Sequence, residues 1–212
     1  MDSVAAFSWT VAIDQFGGSA DAAASTAAEL ERRYREPHRR YHTLGHIEAV
    51  LADCARLAGE LGLSVTDRAV IDLAACAHDV VYAAEPGADE RASAAWAAAQ
   101  LAVCGLEAEV GQAVAAIVLA TISHIADDLP TQVMLDADLA ILAAKPVLYA
   151  RYVEAVRAEY DTLSDADWRT GRATVLSGLL DRPVLYATEP AHRWWDARAR
   201  NNLAAELAAL RS

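Results

Sequence analysis

The 212-residue chain carries 30 acidic against 18 basic side chains, a formal net charge of −12, which repels a nucleic-acid backbone and argues against bulk DNA or RNA binding. Its length fits one domain over residues 1–212, and a hydrophobic share of 55%, much of it alanine, beside 10 glycines and 6 prolines makes an all-α fold the expectation. Cys54, Cys76 and Cys104 sit scattered in apolar stretches without CxxC spacing, which argues against a disulfide framework or a thiolate zinc site and leaves buried, reduced thiols.

In chain order, residues 1–16 include Asp2 and Asp14 and have neither a basic start nor a long apolar core. No signal peptide or membrane span is expected, and the expected location is cytoplasmic. Gly17-Gly18 closes a first helix, and a second runs from Asp21 to about Arg35 before Pro37. Thr43 is placed to cap a third, whose apolar positions Ile47, Val50, Leu51, Cys54, Leu57 and Leu61 recur three and four apart up to Gly62. Thr66 or Asp67 is the expected cap of a fourth, reaching Val81-Tyr82, with His78 and Asp79 in its last turn before Glu85-Pro86-Gly87. Further helices are expected at about Asp89–Val103, Glu107–Ile122, Thr131–Leu142, Pro146–Tyr160, Asp165–Leu180 and Ala191–Leu210.

Three of the 6 histidines crowd into Glu36–Ile47. There His46 falls in the first turn of the third helix and His42 just before it. In Ala75–Tyr82, His78 and Asp79 interrupt an apolar helix, and in Val133–Leu142, Asp136 and Asp138 interrupt another. A buried carboxylate in such a run needs a metal, a cationic side chain or a helix N-terminus to offset its desolvation. Imidazole nitrogens with carboxylate oxygens suit divalent ions, and the donor types do not choose among zinc, manganese, iron, cobalt, nickel and magnesium.

The order His46, His78-Asp79, Asp138 resembles the H…HD…D signature of the HD superfamily of metal-dependent phosphohydrolases. The blocks Tyr34–Ile47, His78–Tyr82, Leu135–Leu142 and Ala197–Leu203 look like a bacterial branch known as predicted HD phosphohydrolases. The resemblance implies an HD-domain-like bundle of helices and a divalent metal held by His46, His78, Asp79 and Asp138, with Asp136 the alternative to the last. It also implies a phosphomonoesterase or phosphodiesterase, with a metal-activated water attacking a small phosphorylated molecule such as a nucleotide. Many HD hydrolases carry an acid three or four positions after the HD pair, where this chain has Tyr82 and Ala83. Asp89–Ala94 resembles the branch's Asn-Glu-x-x-Ser-Ala pattern with Asp89 in place of Asn, which makes Glu90 the candidate general acid/base.

Arg39 and Arg40 are candidates for substrate phosphate, since arginine forks match phosphate oxygens, while Arg32 and Arg33 read as a solvated helix face. His42 reads as substrate-facing, as a support for a metal ligand, or as part of a polar turn. His124 is either an extra metal ligand that makes the site dinuclear or a helix-end histidine. Tyr186, Trp194 and Trp195 read as packing aromatics. A homo-oligomer is compatible with the composition, and two alternatives stand beside hydrolysis: a metal- and nucleotide-binding module without turnover, and a di-iron HD-type oxygenase.

Overall fold

Serine and aspartate caps begin many of the helices. The side chains of Ser3, Ser19, Ser64, Asp128 and Ser164 each accept the backbone N–H three residues on, satisfying one of the donors a helix start leaves free. The computed structural model describes residues 3–211. Its helices are α1 (Val4–Gln15), α2 (Ala20–Tyr34), α3 (Leu44–Glu60), α4 (Val65–Ala77), α5 (Ala88–Val103), α6 (Ala108–Ala120), α7 (Leu129–Asp138), α8 (Pro146–Glu159), α9 (Asp165–Leu180) and α10 (Glu189–Arg211). The architecture is all-α, with no strand among the described residues. None of these helices is long and apolar enough to cross a membrane.

Helix α4 is the centre of the packing and touches α1, α3, α5, α6 and α7. Its run Leu73–Ala77 is fully buried, as a helix apolar on all sides must be. The small side chains Ala74, Ala75 and Ala77 let the neighbouring helices approach closely, while Trp9, Leu30, Tyr34, Ile47 and Leu57 fill the volume around them. Tyr186 and Trp195 are buried, and Trp194 is covered by the Arg56 guanidinium, 3.7 Å from its ring centre. All three cysteines are buried and free.

Several helix ends differ from the sequence expectation, and two of them, the ends of α4 and α7, lie at the site. Helix α4 begins after Ser64 rather than at Thr66 or Asp67, and it stops at Ala77, so His78 is its C-cap and Asp79 lies beyond it. Arg39 accounts for the early stop. Its Nη1 donates to the carbonyl of Asp79 at 2.7 Å and its Nη2 to that of Val80 at 3.0 Å, giving the chain end cationic partners in place of another helical turn. Helix α7 stops at Asp138 and tightens into a 3-10 turn, Leu139–Ala143, where a continuous helix to Leu142 was expected.

Candidate metal centre and its cleft

His46, the third residue of α3, is buried and directs Nε2 to a point shared with the end of α4. His78 Nδ1 lies 2.9 Å from the Ala75 carbonyl. A carbonyl can only accept, so Nδ1 carries a proton and Nε2 is the nitrogen that a ligand-bound, neutral ring would offer. The two Nε2 atoms stand 3.1 Å apart. Asp79 Oδ2 lies 3.1 Å from His78 Nε2 and 3.4 Å from His46 Nε2, while Asp138 Oδ1 lies 3.2 Å from His46 Nε2 and 3.5 Å from His78 Nε2. His46, His78 and Asp79 form a group that could hold a metal ion, with Asp138 beside it.

The electrostatics express the same demand for positive charge. Burial alone would lower the His78 pKa and raise those of Asp79 and Asp138, yet attraction between the imidazole and the two carboxylates outweighs it. His78 is held well above the ordinary histidine range and both aspartates well below theirs. His46 is raised in the same sense, its bonds to Asp138 and Asp79 overcoming burial. Two carboxylates and two imidazoles so close need either shared protons or a cation between them.

Asp136 lies apart from this group. Its carboxylate accepts the backbone N–H groups of Ala187 and Thr188 and the Thr188 hydroxyl, at 2.7 to 2.8 Å. Of the two aspartates of α7, Asp138 is the one beside the His46–His78–Asp79 group. His124, in the turn between α6 and α7, brings Nε2 to 3.0 Å from Asp138 Oδ2, the oxygen not facing His46. Its backbone is left-handed, with φ of 52°, a conformation uncommon for a residue with a side chain. Arg182 supports that turn by donating to the carbonyls of Ser123 and His124.

Arg39 requires a correction, because its side chain is fully buried and cannot present a fork to substrate. Besides Asp79 and Val80 it donates to the His42 carbonyl at 3.1 Å and to Glu36, with its guanidinium carbon 5.0 Å from the Tyr34 ring centre and 5.5 Å from that of Tyr82. It joins the segment before α3 to the segment after α4. Arg40 points outward, donates to the carbonyls of Pro37 and Arg39, and lines a groove with His46, Asp138 and Arg151.

His42 faces a different opening, a cleft of about 460 Å³ lined also by Asp79, His124 and Glu90. Glu90 completes the N-terminus of α5, where Oε2 accepts the Gly87 N–H at 2.5 Å. Gly87 takes φ of 81°, which a side chain would strain.

Sequence reasoning missed Glu159, the last residue of α8. Its Oε1 accepts three consecutive N–H groups, from Arg40, Tyr41 and His42, at 2.7 to 2.9 Å. Its Oε2 lies 2.6 Å from His42 Nδ1 and accepts the Tyr82 hydroxyl at 3.1 Å. The signal was an acid in the last turn of a helix, where the dipole disfavours negative charge and some local compensation is required. Burial would raise the Glu159 pKa, but these donors, with His42 foremost, hold it down at about 2.

A folded-state pKa below the ordinary glutamate value means that Glu159 stabilises the fold above about pH 4.5 and loses that contribution as pH falls towards about 2. Glu159→Gln is expected to lower stability at pH 7 by at most about 3 kcal/mol and to flatten the acid limb between those pH values. Denaturant titrations of both proteins at several pH values measure this. Parallel stability curves would remove Glu159 from the role.

No protein-family model matches the chain, and no curated protein matches it.

Proposed function

We propose that this protein is a metal-dependent phosphohydrolase of the HD kind, with a divalent ion held by His46, His78, Asp79 and Asp138 and a phosphomonoester or phosphodiester as substrate. The observation that carries the proposal is the convergence of two buried imidazole Nε2 atoms, 3.1 Å apart, with two carboxylates beside a cleft. Two nitrogens with their lone pairs aimed at one point repel unless a cation or a shared proton sits between them, and the mixed nitrogen and oxygen donor set suits a divalent ion. Such an ion, when bound, lowers the pKa of water and polarises a phosphoryl oxygen.

The surrounding residues orient and exchange protons. Glu159 fixes the His42 ring through Nδ1, leaving Nε2 for a substrate oxygen. Arg40, on the neighbouring groove, supplies positive charge to an incoming anion. Glu90 is the proposed proton carrier, with one carboxylate oxygen engaged by Gly87 and the residue among those lining the cleft. Glu90→Gln keeps an acceptor for Gly87 and removes proton transfer, so folding and metal content should persist while turnover falls at least about a hundredfold. Near-normal turnover would leave Glu90 as a helix-end residue alone.

Elemental analysis of the protein as isolated, followed by a phosphoester panel with each candidate metal, tests the central reading. Bound metal without hydrolysis of any panel member would favour a binding module instead. The contact of His124 with the second oxygen of Asp138 favours a second ion position, and with it an oxygenase as the competing enzyme. Oxygen consumption by iron-loaded protein would select that alternative.

A further inference from the structure

The cleft above Asp79 and His124 is walled by Tyr82, Tyr152, Tyr160 and Trp168, together with Leu163 and Val175. Each of the four aromatic side chains is half-buried and lines the cleft, with Tyr82 already stacked on His42, 4.3 Å between ring centres. Tyr160 and Trp168 lie 5.5 Å apart at an interplanar angle of 41°, a tilted pair on one wall. A volume of about 460 Å³ accepts a ring system with a small linker.

The charged groups along the same walls are mostly acidic: Asp89, Glu90 and Asp167. Among the described residues Arg172 is the one arginine or lysine lining the cleft, and its guanidinium is occupied by a two-point bond to Glu206 and by the Tyr152 hydroxyl. Anionic chains are recognised by free lysine or arginine donors, and among the described residues this cleft offers none. On the hydrolase reading the ion beside Asp79 takes one phosphate, and further phosphates would run along walls that carry Asp89, Glu90 and Asp167.

We infer that the cleft selects a monophosphate ester whose alcohol carries a flat aromatic ring system, and that it discriminates against the same ring bearing a polyphosphate. The inference rests on the hydrolase reading for the position of the phosphate and on the aromatic walls for the rest of the substrate. Simple aryl groups and nucleobases share the required chemistry, a π-face that stacks on tyrosine and tryptophan.

The test uses the full metal-loaded chain with 1-naphthyl phosphate, a nucleoside monophosphate, the corresponding triphosphate and glycerol phosphate. Calorimetric binding is measured alongside hydrolysis. Both ring-bearing monoesters are expected to bind at least about tenfold tighter than glycerol phosphate, and the triphosphate at least about tenfold weaker than its monophosphate. Tight binding of naphthyl phosphate alone would narrow the class to simple aryl esters, which supports the inference. Trp168→Ala should reduce the ring-bearing preference several-fold, and Tyr160→Leu should do the same should the first variant fail to fold. Equal affinity for glycerol phosphate and naphthyl phosphate overturns the inference whether or not hydrolysis occurs, as does a triphosphate bound as well as its monophosphate. Selective ring binding with no ester hydrolysed supports the cleft assignment and overturns the hydrolase reading alone.

Discussion

Replacing His78 or Asp79 with alanine is expected to reduce metal affinity by at least about a hundredfold, since even residues that only support a ligand are worth about ten- to a hundredfold. His78 presents its free nitrogen 3.1 Å from both His46 Nε2 and Asp79 Oδ2, so each removal takes away a donor at the point of convergence. The two aspartates of α7 provide an internal comparison. Asp138→Asn should lose metal, whereas Asp136→Asn should keep it and lose stability, because Asp136 accepts three bonds from Ala187 and Thr188. Elemental analysis after exhaustive dialysis reads the first effect and denaturant titration the second. Wild-type stoichiometry in both His78→Ala and Asp79→Ala would end the assignment.

Arg39→Ala is expected to cost about 3 to 5 kcal/mol, the range for removing one partner of a buried charged network. That is a large part of the 5 to 15 kcal/mol by which domains are typically stable. The substitution strips donors from the carbonyls of His42, Asp79 and Val80, which lie where water has little access. Metal content should fall with stability, since the carbonyl of Asp79 itself is released. Arg39→Lys should recover only part of the loss, because an ammonium lacks the planar fork that reaches several carbonyls together. Arg40→Ala, on the exposed side, should leave both quantities near wild type. An Arg39→Ala protein of normal stability with weakened substrate use alone would restore the phosphate-binding role expected from sequence.

The contrast between these adjacent arginines shows where sequence reasoning stops. Helical periodicity located the core of α3 and α4, because apolar spacing records which face is buried. The end of α4 was misplaced because Arg39, forty positions away in the chain, decides it, and no local pattern encodes that bond. His78, Asp79 and Asp138 were legible as polar intrusions into apolar runs, each of which requires a partner, and His46 from the crowding of histidines at the start of α3. Glu159 and the aromatic wall were not, since a glutamate at a helix end and scattered tyrosines look ordinary until the fold gathers them. The placement of His124 was open in the sequence, and a left-handed turn held by Arg182 brings it to Asp138.

The latch formed by Arg39 joins the two segments that carry His42 and Asp79 entirely through protein atoms, and His78 is braced by its own helix through Ala75. Neither brace needs an ion to form, which sets this site apart from small zinc domains whose ligands meet only when metal folds them. A chelator should therefore strip the protein without melting it, leaving a cooperative helical fold that takes up metal again without a refolding step. The stability gained on reloading should then follow free-ion concentration alone, rising with the logarithm of its ratio to the dissociation constant.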